Sequence, residues 1–176
     1  MRTESFEGFK EVVQKNSIAI ASMKALDVGG ATSVVLDLKW HPNPLVSLFQ
    51  SLEFLDYDPR LRPTHMLNFL TDNIGTLVGR YDMAVSFDTL EHVEDPWVWC
   101  QRMVSIVKPG GYVYLSTVFL YTYHPSPRDF FRFTPDGLRL LFQRAGAEIL
   151  EYGWEETGNS WQEKQVGVYI LARRKS

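Results

Sequence analysis

The stretch that decides the fold is LDVGGATS, residues 26–33. A short apolar run that ends in two glycines predicts a buried strand followed by a tight turn. Glycine allows positive φ, and it lets another group approach the backbone because no Cβ is in the way. We therefore expect a ligand-binding turn after the first strand of a sheet.

Strand-like and helix-like segments alternate along the rest of the chain. The predicted strands are KALDVGG, EFLDYDP, THMLNFL, YDMAVSFDT, PGGYVYLSTVF, AEILEYGWEE and VGVYILARR. The predicted helices are about residues 3–15, NPLVSLFQSL, DPWVWCQRMVSIVK and TPDGLRLLFQRAG. This alternation predicts an α/β fold, a single domain over residues 1–176 whose mostly parallel sheet is covered on both faces.

Two connections depart from a regular alternation. RLRPTH, between the second and third strands, is too short for a crossover helix, so the third strand should be a short edge strand. VVLDLKWHPN, residues 34–43, is interrupted by proline where the first helix is expected. A distorted helix, a loop over the ligand and a contact surface all remain open for this segment.

Composition excludes several classes of protein. The 176 residues are 45% hydrophobic and 22% charged, with a net charge of -3 and no basic block beyond the C-terminal ARRKS, so we expect no nucleic-acid partner. A lone cysteine, Cys100, excludes a disulfide framework, and its apolar surroundings favour a buried thiol over a nucleophile. Without a long apolar run or a signal-peptide core, we expect a cytoplasmic protein that does not bind membranes.

Polar residues follow the predicted strands, where parallel sheets bind their ligands. Asp56 and Asp58 follow the second strand, and a carboxylate at Asp56 could accept both hydroxyls of a ribose. Asn68 follows the third strand, SFDTLEHVEDP the fourth and YTYHPSPRDFFRFTP the fifth. Each signal alone is weak, because a Gly-Gly turn is more often only a turn, and a strand-end carboxylate is usually solvated or caps a helix. The informative observation is that these polar segments come after successive predicted strands, in the right order along the chain.

Together, LDVGGATS, LEFLDYDP, YDMAVSFDTLEHVEDPW, VKPGGYVYLSTVF and HPSPRDFFRFTPDGL resemble the class I S-adenosylmethionine-dependent methyltransferases. The likeness covers roughly residues 24–155 and is strongest to compact, type 11-like members that act on small molecules and in sugar pathways. It implies a Rossmann-like, doubly wound, seven-stranded sheet with an antiparallel last strand. It also implies S-adenosyl-L-methionine as the cofactor.

The resemblance assigns expected roles to the strand ends. Asp27, Gly29, Gly30 and Ala31 would bind the amino-acid end of the cofactor, and Asp56 would bind the ribose. Asn68 and Phe69 would lie at the adenine edge, and Phe87 and Asp88 would lie beside the methyl group. The substrate side would comprise Tyr123, His124, Asp129 and Arg132.

Three positions depart from the family pattern. Ala31 and Ser33 replace glycines, and Asn68 stands where the family usually has an aspartate. S-adenosylmethionine carries no phosphate, so its turn need not bind a pyrophosphate as a dinucleotide turn does. The turn therefore fits this cofactor better than NAD, and an NAD-dependent reductase is disfavoured because G-x-G-x-x-G is lacking.

Histidine is the residue type best suited to take a proton from a hydroxyl acceptor near neutral pH. The catalytic candidates are His124, favoured because its Pro-rich loop should face the acceptor, and His92. Packing is the alternative for both residues. Arg132 could pair with Asp129 or meet an anionic acceptor. The four histidines lack metal-ligand spacing in the sequence, so no metal site is predicted.

The sequence thus predicts a methyltransferase that acts on a small polar metabolite or a sugar or natural-product intermediate, with a homodimer left open. The alternative is a degenerate, non-catalytic scaffold or regulatory module. That alternative predicts an exposed apolar patch around Trp40.

Overall fold

A computed structural model of the chain describes residues 2–30, 33–36, 39–125, 127–155 and 167–176. For residues 33–36 and 39–41 the description covers the backbone and not the side chains. The predicted cofactor residue Ala31, the Trp40 side chain and residues 156–166, which join the last two predicted strands, therefore lie outside this description.

The described elements follow the predicted alternation. They are α1 (Thr3–Lys15), β1 (Lys24–Val28), β2 (Ser33–Leu36), β3 (Lys39–Pro42), β4 (Ser51–Asp56), β5 (His65–Met66), β6 (Tyr81–Phe87), α2 (Pro96–Ile106), β7 (Val107–Val118), α3 (Pro135–Arg144), β8 (Ala147–Glu155) and β9 (Gly167–Arg174). None of the helices in these parts of the chain has the length and apolarity needed to cross a membrane.

One seven-stranded sheet organises the molecule, in the order β5-β4-β1-β6-β7-β9-β8. β1 pairs in parallel with both β4 and β6, whereas β9 runs antiparallel to both β7 and β8. The predicted fold class and the antiparallel last strand are confirmed. The chain leaves β1 toward β4 and β5 and then returns to β6, so the strand order switches between β1 and β6. Ligands of doubly wound sheets bind at such a switch point.

Each face of the sheet packs a separate hydrophobic core. Alternate residues of β1 face opposite ways, so Ala25 joins one core and Leu26 the other. Phe9, Val12 and Val13 of α1 cover the first core, at the helical spacing that the sequence shows. α2 and α3 cover the second core, which contains the buried Cys100. The two cores fix the sheet, and with it the positions of the strand ends.

Side-chain caps mark the starts of α2 and α3. Asp95 accepts hydrogen bonds from the N–H groups of Trp97 and Val98 at the start of α2. Thr134 accepts one from the Gly137 N–H, and Gly146, with φ 83°, follows the end of α3. These local signals were sufficient because each acts within one turn of the helix.

Two predicted elements were wrong in type or extent. NPLVSLFQSL contains a short 3-10 helix, Pro44–Ser47, in place of an α-helix, and Asn43 caps its start. The helix predicted over DPWVWCQRMVSIVK ends at Ile106, and β7 begins at Val107, so Lys108 lies in the strand. The register shift between β6 and β7 and the positive φ of Gly110 show that the PGG segment forms an irregularity within the strand.

The segment with no single prediction, residues 34–43, contributes to a two-stranded antiparallel hairpin of β2 and β3. The hairpin and a 3-10 helix take the place of an α-helix between β1 and β4. β5 is two residues long, which confirms the short edge strand expected from the RLRPTH connection.

Candidate functional site

A cavity of about 600 Å³ opens at the carboxyl ends of the central parallel strands. Six residues predicted from the sequence line it: Gly29, Asp56, Asn68, Phe69, Asp88 and His92. They lie at or just beyond the ends of four different strands, so the sheet brings together residues that lie up to 63 positions apart. This cavity coincides with the switch point in strand order.

Gly29 forms the turn at the end of β1, and two observations explain why glycine stands there. Its φ is 78°, a left-handed conformation that disfavours a side chain. A Cβ built at this position would overlap the side chain of Thr89. The Gly29 N–H donates to the Leu55 carbonyl at 2.8 Å, which joins the turn to β4. The turn therefore presents bare backbone to the cavity.

Asp27 lies beneath this turn and is almost fully buried. Its carboxylate packs so closely against Gly30 that a Cβ there would overlap it. The Asn43 amide donates to it at a long 3.5 Å, and burial raises the pKa of Asp27 to about 7. Asp27 and Gly30 do not line the cavity, so the structure places them as support for the turn.

Asp56 faces the same cavity from the end of β4. Its carboxylate accepts the Asp58 N–H at 2.8 Å, and partial burial raises its pKa above the usual value. The structure therefore places a carboxylate and a bare glycine turn on one hollow. This is the arrangement predicted for a ribose-bearing ligand.

The far wall of the cavity is aromatic. Phe69 is buried and meets Trp99 edge to face, with ring centroids 4.9 Å apart. Asn68 stands beside them, and its Oδ1 accepts the Leu70 N–H at 2.9 Å. Trp99 was not predicted as a site residue because its position in α2 suggested core packing alone.

The end of β6 departs from the prediction. Phe87 packs in the core against Phe9 and Tyr114 and does not line the cavity, so the structure does not support its predicted place beside the cofactor. Asp88 does line it, with φ 47°. Arg2 donates to the Asp88 carboxylate from its backbone N–H at 2.8 Å and from Nε at 2.9 Å.

Arg2 also binds a buried carboxylate, that of Glu155. Its Nη2 lies 2.7 Å from Oε2 of Glu155, which also accepts from Ser5 at 3.1 Å. Burial raises the pKa of Glu155 to about 7. The start of α1 is thus tied to the cavity edge through Asp88. The sequence offered no signal for this contact, because it joins residues 86 positions apart.

His92 and His124, predicted as catalytic, lie next to each other with ring centroids 4.9 Å apart. Glu91, which the sequence suggested was part of a solvated rim, is instead fully buried between them and β7. Its Oε1 lies 3.8 Å from Nε2 of His92 and 3.7 Å from Nε2 of His124. The expectation of scattered histidines was therefore wrong for this pair. Of the two histidines, His92 lines the cavity and His124 does not.

Asp129 and Arg132 hold the loop that carries His124. Arg132 pairs with Asp129 through two hydrogen bonds of 2.5 and 2.7 Å, which keep the pKa of Asp129 well below its usual range. Oδ2 of Asp129, which accepts from Nη2 of Arg132, also accepts the His124 N–H at 2.9 Å. Of the two alternatives for Arg132, the structure therefore supports pairing with Asp129 over contact with an anionic acceptor. Tyr123 is 74% exposed and does not line the cavity.

Comparison with known proteins points to one family. The family model described as "Methyltransferase domain" matches residues 1–152. A ubiquinone biosynthesis O-methyltransferase of Vibrio parahaemolyticus is 31% identical over 108 residues, which are 54% of this chain and 43% of that protein. The chain spans less than half the length of the curated relatives it matches.

Solved structures share the fold. An S-adenosylmethionine-dependent methyltransferase from Mesorhizobium loti aligns with a TM-score of 0.68 and 12% identity, over 93% of this chain and 96% of that one. The 1,6-didemethyltoxoflavin-N1-methyltransferase of Burkholderia thailandensis, solved with 1,6-didemethyltoxoflavin and S-adenosylhomocysteine, aligns with a TM-score of 0.68 and 12% identity, over 99% of this chain and 79% of that one.

Proposed function

Since the chain belongs to the methyltransferase-domain family, we propose that it transfers the methyl group of S-adenosyl-L-methionine to a small polar metabolite or a sugar or natural-product intermediate. The observation that supports this most is the shared cavity of Gly29 and Asp56. A carboxylate there can accept the ribose hydroxyls, and the Gly29 turn lies at the cavity wall, where we place the amino-acid end of the cofactor.

The aromatic wall supports the adenine end of the proposal. Phe69 and Trp99 offer an apolar surface for a planar base, and Asn68 beside them can hydrogen-bond to a base edge. Asp88 and His92 line the same cavity and are the residues proposed to lie near the methyl group. Each proposed part of the cofactor thus has a matching chemical partner.

The acceptor side favours an oxygen nucleophile. The sulfonium already activates the methyl group, so the protein has to hold the acceptor in line and exclude water. His92 at the cavity wall, with His124 and Glu91 behind it, offers the polar atoms that a hydroxyl acceptor needs. The O-methyltransferase name of the curated relatives is consistent with this choice.

Calorimetric titration with S-adenosylmethionine and S-adenosylhomocysteine tests the proposal. We expect micromolar binding by the wild type and binding weaker by about 10–100-fold in Asp56→Ala, because a charge-assisted pair of hydrogen bonds is worth roughly 1.5–3 kcal/mol.

Glu148→Ala is the matched control. It removes one negative charge from an exposed ion pair with Arg173, remote from the cavity. Unchanged affinity in this variant excludes a general effect of net charge on a cationic ligand. If the wild type gives no heat with either ligand, the methyltransferase proposal is rejected and the non-catalytic scaffold becomes the better account.

A further inference from the structure

Three acceptor atoms of Glu91, His92 and His124 converge behind the cavity wall, and we infer that they form a site for a divalent transition-metal ion. The ligand atoms would be Oε1 of Glu91 and Nε2 of each histidine, all within 4.8 Å of one another. The histidine that lines the cavity places this site next to the proposed acceptor.

The backbone fixes the tautomer of both rings. Nδ1 of His92 lies 2.6 Å from the Arg128 carbonyl, and Nδ1 of His124 lies 2.9 Å from the Thr122 carbonyl. A carbonyl only accepts hydrogen bonds, so each Nδ1 carries the proton. In the neutral rings both Nε2 atoms therefore present lone pairs toward Glu91. Metal-bound histidines are held in the same way, with the other ring nitrogen donating to a carbonyl.

Glu91 supplies an independent observation. Its side chain is fully buried, and Thr117 donates to Oε2 at 2.6 Å. Its Oε1 is buried and has no hydrogen-bond partner among the described residues. A buried carboxylate oxygen without a partner is strongly unfavourable, so a positive group is expected next to it.

The distances favour a metal ion over a direct hydrogen bond. The separations of 3.7 and 3.8 Å between Oε1 and the Nε2 atoms exceed the length of a hydrogen bond. Two ligands that each lie about 2.1 Å from one metal ion are themselves roughly 3–4 Å apart, depending on the angle. The observed separations therefore match two edges of a coordination polyhedron after small side-chain shifts.

The donor set indicates which metals fit. Two imidazoles and one carboxylate suit Zn²⁺, Fe²⁺, Co²⁺ or Mn²⁺, whereas Mg²⁺ and Ca²⁺ prefer sites made of oxygen alone. Three protein ligands also leave an open position, as in catalytic metal sites. Partial exposure of the His92 and His124 side chains, 15% and 32%, leaves that position accessible to a small molecule.

The role of the metal, unlike its binding, rests on the proposed methyl transfer. An acceptor hydroxyl bound at the open position would release its proton to solvent more readily. The resulting oxygen would form a bond to the methyl carbon, the carbon–sulfur bond would break, and its electron pair would stay on sulfur. The metal would thus replace the general base that the sequence suggested at His124.

Metal titration of the whole chain tests the site. Protein freed of metal by chelation is titrated with Zn²⁺ in a calorimeter and with Co²⁺ by visible absorption. We expect a single equivalent to bind, with Co²⁺ bands typical of nitrogen and oxygen ligands. We expect affinity to fall by at least about 10-fold in Glu91→Gln and in His124→Ala, since each variant removes one ligand.

His65→Ala is the matched control, because it deletes a histidine that lies beside another carboxylate, at 2.6 Å from Glu53. It should bind both metals as the wild type does. S-adenosylhomocysteine binding, measured on every variant, reports that the fold is intact. It also separates this proposal from the methyltransferase one.

The proposal is overturned if the chelated wild type binds neither metal, or if Glu91→Gln and His124→Ala bind as tightly as the wild type. It is also overturned if the loss of affinity appears in His65→Ala instead. If such a protein still binds S-adenosylhomocysteine, the metal site alone is rejected and the proposed function stands.

Discussion

The two sides of the cavity are built in different ways. On the cofactor side, Gly29 directly follows β1 and Asp56 is the last residue of β4. On the histidine side, Glu91 and His92 follow β6, while His124 comes from a loop beyond β7, 32 residues later. The cofactor side depends on the strand ends and the turns that directly follow them. The histidine side depends on side chains from distant parts of the chain, which meet only in the folded molecule.

This difference predicts different responses to substitution. The cofactor side should fail when the backbone turn is disturbed, because its shape comes from the main chain. Single substitutions on the histidine side should leave the fold intact, because Asp129 and Arg132 hold the loop of His124 separately. Variants on the cofactor side are therefore expected to change both stability and binding.

The largest effect is expected for Gly29→Ala. A methyl group there requires an alanine at φ 78° and overlaps Thr89, so we expect a loss of about 2–5 kcal/mol in the free energy of unfolding. S-adenosylhomocysteine binding should become undetectable. Urea unfolding and calorimetry measure the two effects.

Gly110→Ala is the control for this substitution. Gly110 has the same φ of 78°, but a Cβ there meets nothing within 4 Å. Gly110→Ala should lose only about 1–2 kcal/mol in the free energy of unfolding, the cost of an alanine in a left-handed conformation, and should keep its ligand affinity. Equal losses in the two variants would contradict a close-packed turn at Gly29.

A smaller, pH-dependent effect is expected for Asp27→Asn. Burial raises the pKa of Asp27 to about 7 in the folded protein, above its unfolded value of 3.8. The folded state thus binds the proton more tightly, so the wild type loses stability as the pH rises from about 4 to about 7. Asparagine stays neutral, so the variant should exceed the wild type by about 1–3 kcal/mol at pH 8 and match it at pH 4.

Asp82→Asn is the control of opposite sign. Burial raises the pKa of Asp82, but hydrogen bonds from the Lys108 ammonium and the Lys24 N–H outweigh it and lower the pKa. This variant should lose stability relative to the wild type above pH 4. Urea unfolding at several pH values compares the two. A parallel pH dependence in both variants would show that Asp27 is not held in its neutral form.

The same contrast explains which features could be predicted from the sequence and which could not. The mostly parallel sheet follows from strand–helix alternation, and its seven strands with an antiparallel last strand follow from a family likeness. Gly29 and Asp56 follow from their places at strand ends. The hairpin at β2 and β3 could not be foreseen, since its prolines only exclude a regular helix. Glu91 was assigned to a solvated rim because its burial depends on Thr117 of β7, which no local pattern reveals.

The most direct test of the central claim is a crystal structure of the protein with S-adenosylhomocysteine. The account predicts ribose hydroxyls within hydrogen-bond distance of the Asp56 carboxylate and the amino-acid end against the Gly29 turn. Ligand bound elsewhere, or a ribose turned away from Asp56 with the cavity still unfilled, would contradict it.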